Sequence, residues 1–156
     1  MKICVWKARR LLEVFEEDRM RLRASVQLGF GAEDGPKRRE GDGRTPEGTY
    51  YVCMKNAHSK FFLSLGISYP GPKDARRALE EGRISEETAL EIAQAWKHKA
   101  RPPWNTSLGG WIMIHGQPSQ GGGVGDWTAG CIALENRDMQ LLFSMAALGD
   151  PVELLP

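Results

Sequence analysis

Between Met20 and Leu28 every second residue is apolar: Met20, Leu22, Ala24, Val26 and Leu28 alternate with Arg21, Arg23, Ser25 and Gln27. A period of two sends successive side chains to opposite faces of an extended chain, so this segment reads as a strand with one buried and one wet face. Such a strand needs neighbours. Ile3 to Trp6 and Leu11 to Phe15 are short apolar runs just before it, the second ended by Glu16-Glu17-Asp18-Arg19. The first thirty residues therefore read as a three-stranded meander.

Further along, residues 32–48 form a long Gly-rich, charged loop ending in Arg44-Thr45-Pro46-Glu47-Gly48. Thr49 to Met54 and Phe61 to Tyr69 are strands by their β-branched and aromatic content, the second with a bulge at Gly66. The pattern then turns helical. Asp74 to Glu81 stops at Gly82, and Ser85 caps a second helix with Glu86 and Glu87 in its first turn and Ala89, Ile92, Ala93 and Trp96 on one face. Pro102-Pro103 ends this helical hairpin, which occupies residues 72–103. Gly110 to His115 reads as an uninterrupted apolar strand that stops at an imidazole, followed by a Gly-rich loop over 117–126. Trp127 to Leu134 leads into a helix capped by Asn136 with Met139, Leu142, Phe143 and Ala146 inward, and Pro151 to Leu155 is a closing strand.

Several function classes drop out. With 21 Lys and Arg against 20 Asp and Glu, the net charge of +1 gives no field for nucleic acid, and no partner of that kind is expected. The chain of 156 residues suits one domain, and no apolar run approaches the roughly 20 residues of a membrane span. Arg9 and Arg10 interrupt the opening before a signal-peptide core forms, so export is not expected to be encoded here. The three cysteines, Cys4, Cys53 and Cys131, contain no CxxC pair, so neither a disulfide framework nor a metal site is expected. Residues 121–125 lack the GxxxxGK[ST] or GxGxxG pattern of a phosphate cradle.

What remains is His115 and, 16 residues later, Cys131. A nucleophilic cysteine needs a lowered pKa, a base within reach and donors for an oxyanion. His115 at a strand end supplies the base, and the turn allowed by Gly130 can aim the N–H groups of residues 130 and 131 at an oxyanion. The competing reading is structural, because free cysteines are often buried and a histidine at a strand end is often only hydrogen-bonded. Cys4 and Cys53 read as core residues, and His58 and His98 as a polar turn and a helix end.

The run Ile114-His115-Gly116, with Thr128-Ala129-Gly130-Cys131-Ile132-Ala133-Leu134 after the loop, resembles the signature of L,D-transpeptidase (YkuD-like) catalytic domains. That signature is a histidine, a loop and a Ser/Thr-x-Gly-Cys tetrad. Gly41 to Tyr50 is similar to the family's Thr-Pro-x-Gly element, and Lys7 to Phe15 with Val26 to Gly29 to its opening meander. The Trp-Thr-x-Gly-Cys-Ile-Ala form looks most like the murein branch of transpeptidases and related hydrolases. The resemblance implies a mainly β, α+β fold: a mixed sandwich or barrel-like sheet with an inserted helical hairpin and a C-terminal helix, one catalytic domain over residues 1–156.

It also implies acyl transfer on peptidoglycan stem peptides, with Cys131 forming a thioester, His115 as general base, and no cofactor or metal. Gly130, Gly116 and Thr128 would serve the oxyanion and positioning roles. A carboxylate-rich substrate would want cationic and polar contacts, for which Arg44 and Trp127 are candidates and the 72–103 hairpin, which the resemblance does not cover, a candidate lid. The alternatives are a solvated Arg44, a Trp127 packed beneath the catalytic loop and a hairpin that only covers a sheet face. Alternatives are an L,D-carboxypeptidase or cross-link hydrolase with the same pair, or a silent wall-binding module. An envelope location follows from the same resemblance. Ala129 stands where many members carry a second histidine, the loop between His115 and Thr128 is slightly short, and Gly116 replaces a hydroxyl residue, leaving a backbone carbonyl to orient the imidazole.

Overall fold

The computed structural model describes residues 1–156. The meander is present as β1 (Lys2–Trp6), β2 (Leu11–Glu16) and β3 (Arg19–Ser25), antiparallel with Ile3 opposite Val14 and Leu12 opposite Ala24. Glu17 and Asp18 both adopt positive φ, the geometry of a tight two-residue hairpin. Leu22, Ala24, Val26 and Leu28 are buried. Met20 is not: it sits beside the hairpin turn, past the end of the core, and is 48% exposed.

β4 (Gly48–Ser59) and β5 (Phe62–Ile67) form a longer hairpin than the composition suggested. The bulge lies on β4, where pairing steps from Val52–Ile67 to Met54–Gly66 and leaves Cys53 as the extra residue. Gly66 is needed for packing, since a Cβ there would lie 3.0 Å from Met54 and 3.1 Å from the Trp104 ring.

Two helices follow, α1 (Pro72–Glu80) and α2 (Glu86–Lys97). Pro72 opens α1 where a missing N–H costs nothing, and the Asp74 carboxylate accepts the Gly71 N–H. Ser85 Oγ accepts the Thr88 N–H at 3.1 Å, capping α2. Ile92 packs with Ala75, Ala78 and Leu108, while Ala93 and Leu90 face outward. Trp96 lies edge-on to Tyr50 and Tyr51 and donates to Ser68 O, fastening the hairpin to β4 and to the end of β5.

The apolar stretch at 110–116 gives only three strand residues, β6 (Met113–His115). Trp111 breaks it: its φ is +58° and its side chain is 59% exposed. β7 (Ile132–Ala133) pairs parallel to β6, then come α3 (Asn136–Met145) and β8 (Pro151–Leu155). Glu135 rather than Asn136 occupies the N-cap of α3, and the Asn136 side chain is spent elsewhere, accepting the Gln117 N–H at 2.7 Å. Met139, Leu142 and Ala146 are buried in the main core and Phe143 packs at its margin.

The sheet order is β3-β2-β1-β8-β4-β5-β6-β7. Just past β3, Gln27 exchanges two backbone hydrogen bonds with Ala133 of β7, at 2.8 and 2.9 Å, so the two edges of the sheet meet. The result is a mostly β, curled half-barrel with three helices, and no helix is long and apolar enough to cross a membrane.

Candidate active site

Parallel pairing of β6 and β7 sets Ile114 beside Ile132 and His115 beside Ala133. Two residues before Ala133, Cys131 therefore falls beside Met113, whose N–H points at its Sγ from 3.4 Å. The thiol donates to Trp111 O, also at 3.4 Å. The turn before it is built by Thr128, whose Oγ1 donates to Cys131 O at 2.7 Å and accepts the Gly130 N–H at 3.2 Å. Gly130 has φ +135°, and a Cβ there would lie 2.7 Å from Arg44 O. No other residue fits this position without shifting backbone.

The oxyanion expectation changes accordingly. The Gly130 N–H is consumed by Thr128, whereas the Cys131 N–H has no partner within the chain and is the donor left over.

His115 is 2% exposed. Phe61 stacks on its ring at 4.5 Å and Trp127 meets it edge-on at 6.0 Å. His115 Nδ1 lies 2.7 Å from Gly116 O. A carbonyl only accepts, so in the neutral ring Nδ1 carries the proton and Nε2 keeps its lone pair. Gly116 is forced small, since a Cβ there would meet Asn136 Oδ1 at 2.4 Å. Burial lowers the His115 pKa, with the Gly116 bond opposing. Burial also pushes the Cys131 thiol up to about 11, against the Met113 N–H bond. The expected lowered thiol pKa is thus reversed: the resting pair is neutral thiol and neutral imidazole.

Both side chains line one cleft of about 440 Å³. Trp111 and Met113 also line it, as does the tip of the β4–β5 hairpin, with Asn56, His58, Ser59, Lys60 and Phe61. Across Trp111 lies a second hollow of about 210 Å³ that Ala129, Phe30, Lys37 and Trp104 also line. No group of three or more His, Cys, Asp or Glu side chains is placed to hold a metal ion.

Other candidates lie elsewhere. Arg44 does not line the cleft; its side chain runs past Gly31, and its contribution near Cys131 is the carbonyl packed on Gly130. Trp127 is behind His115, its Nε1–H donating to Gln27 Oε1 at 2.8 Å. The 72–103 hairpin is bound to the Tyr50–Tyr51 region through Trp96 and contributes no residue to the cleft, so it is not the lid. The β4–β5 tip lines the cleft instead.

Three participants were missed from sequence. Phe61 is 54 residues from the ring it covers, and Gln27 ties Trp127 and Gln117 together with no local signal. Gly29 is the third: a Cβ there would meet Gly43 O at 2.1 Å and Gly130 Cα at 2.8 Å.

The family model for the YkuD L,D-transpeptidase catalytic domain matches residues 1–154. The chain belongs to this family. Solved structures agree in fold. The helical cell shape determining protein Pgp2 from Campylobacter jejuni superposes with a TM-score of 0.68 at 21% identity, over 98% of this chain and 46% of that one. Bd1075 from Bdellovibrio bacteriovorus gives 0.62 at 21% identity, over 97% and 46%. An L,D-transpeptidase from Mycobacterium smegmatis gives 0.56 at 12% identity, over 99% and 58%. The chain thus spans about half the length of these structures. A search of curated proteins found no match.

Proposed function

We propose that this YkuD-family chain is one catalytic unit that performs cysteine-dependent acyl transfer on peptidoglycan stem peptides in the cell envelope. The observation that carries the reading is the shared cleft: a buried imidazole with Nδ1 tied to Gly116 O and Nε2 unprotonated, opening with Cys131 onto one space. As Cys131 Sγ attacks the carbonyl at the L-centre of the diamino acid, its proton passes to His115 Nε2. The S–C bond forms, the Cys131 N–H stabilises the oxyanion, and the imidazolium returns the proton to the departing D-alanine nitrogen as the C–N bond breaks. The thioester then acylates an amine of a second stem, or water.

A neutral resting pair supports this order, because it stores no charge in a buried site and creates the thiolate only with substrate in place. Family membership supplies the reaction class. An LD transpeptidase has been solved in complex with imipenem, which suggests a probe: a carbapenem should acylate Cys131 and fail to acylate Cys131→Ala.

The test is mass spectrometry of products from muropeptide tetrapeptides and cross-linked dimers, with Cys131→Ala as control. Loss of D-alanine with new dimers identifies a transpeptidase, loss without dimers a carboxypeptidase, and dimers falling to monomers a cross-link hydrolase. Absence of any Cys131-dependent product would leave a silent wall-binding module and overturn the proposal.

A further inference from the structure

The part of the cleft lined by the β4–β5 tip is unevenly charged. Lys60 and His58 line it, Asn56 lies beside them, and no Asp or Glu does. The hairpin carries two lysines with different fates. Lys55 Nζ donates to Phe143 O and Ala146 O, at 2.8 and 2.7 Å, and covers the Phe143 ring, so it is committed to the end of α3. The Lys60 ammonium makes no ion pair or hydrogen bond with any residue of the chain. It stands in the two-residue turn Lys60-Phe61 between β4 and β5, and Phe61 of that turn is the residue stacked on His115. The stack therefore fixes where the Lys60 backbone sits relative to the reacting centre.

Resting on the acyl-transfer reading for its substrate, we propose that Lys60 is a specificity-determining residue that binds a free carboxylate of the acyl donor, with His58 and Asn56 offering further N–H donors. A stem tetrapeptide presents such groups close to the scissile bond, at its C-terminus and on the side chain of the diamino acid. A cleft with an uncommitted ammonium and no competing carboxylate is complementary to an anion there. The charge pairing also stands close to solvent, so it weakens with salt.

The test separates binding from turnover by using the Cys131→Ala protein. Its affinity for a synthetic stem tetrapeptide is measured calorimetrically, beside Cys131→Ala carrying Lys60→Ala or Lys60→Arg. The peptide is supplied unmodified, with its C-terminus amidated, or with the diamino-acid side-chain carboxylate amidated. The expected result is about five- to tenfold weaker binding of the unmodified peptide by Lys60→Ala and retention by Lys60→Arg. The deficit should vanish with one amidated peptide, which names the carboxylate. An unchanged affinity, an equal loss with all three peptides, or no binding by either protein overturns the proposal. Lys60 is exposed on a turn, so these variants keep the fold. Turnover by the Cys131-containing protein together with unchanged Lys60→Ala affinity removes only this inference, and a Lys60-dependent affinity without turnover removes only the acyl-transfer reading.

Discussion

The proposed nucleophile, Cys131, can be tested through its titration. With its pKa raised to about 11 by burial, the thiolate is scarce at neutral pH and its population grows as pH rises. Alkylation by iodoacetamide should therefore climb about tenfold per pH unit between pH 7 and 9. A rate already flat across that interval would reveal a preformed thiolate–imidazolium pair instead. Thr128 makes a complementary case. Thr128→Val keeps the shape but leaves the Cys131 carbonyl and Gly130 N–H without their partner. The cost should be about 1–3 kcal/mol of stability, read by thermal unfolding, with kcat reduced and Thr128→Ser restoring both.

The Gly-rich segment between β6 and β7 is held at both ends. Near its start, Gln117 is bound by Asn136 and Gln27; near its end, Arg10 grips Asp126 with Nε and Nη2 at 3.0 and 2.6 Å. Asp126 Oδ1 also accepts the Leu28 N–H at 3.0 Å. Burial opposes ionisation of Asp126, but the Arg10 bond, the Leu28 N–H and the guanidinium charge outweigh it and hold the carboxyl below its usual range. A depressed carboxyl pKa stabilises the fold above the unfolded value and loses that contribution as pH falls through the folded one. Asp126→Asn should therefore cost about 1–2 kcal/mol at neutral pH. The deficit should shrink in unfolding curves taken towards pH 3, and proteolysis within 117–127 should quicken. A deficit independent of pH would assign the effect to packing.

The curled sheet depends on its last strand. β8 pairs parallel to β1 and antiparallel to β4, so it joins the opening meander to the half that carries the site. Val152 and Leu154 are fully buried in the common core. Removing residues 151–156 should leave two half-sheets with unpaired edges, and cooperative thermal unfolding followed by far-UV circular dichroism should disappear. A deletion that still unfolds cooperatively would show that closure through Gln27 and Ala133 suffices.

Patterns carried by neighbouring residues were legible without coordinates. The period-two run of β3, the Ser85 cap of α2, and the helix stop at Gly82 all act over a few residues, so they can be read along the chain. The spacing of His115 and Cys131 can be read in the same way, and the family that the resemblance named is the one whose model matches residues 1–154. Folding alone decided matters of environment. Trp111 looks like a strand residue until its positive φ turns it outward, and Lys60 is one of many charged residues until the β4–β5 hairpin carries it to the cleft. The Cys131 pKa belongs to the same class, because desolvation is set by groups distant in sequence. Periodicity and capping are short-range effects, whereas burial, stacking and charge complementarity arise only when the sheet curls and brings its edges together.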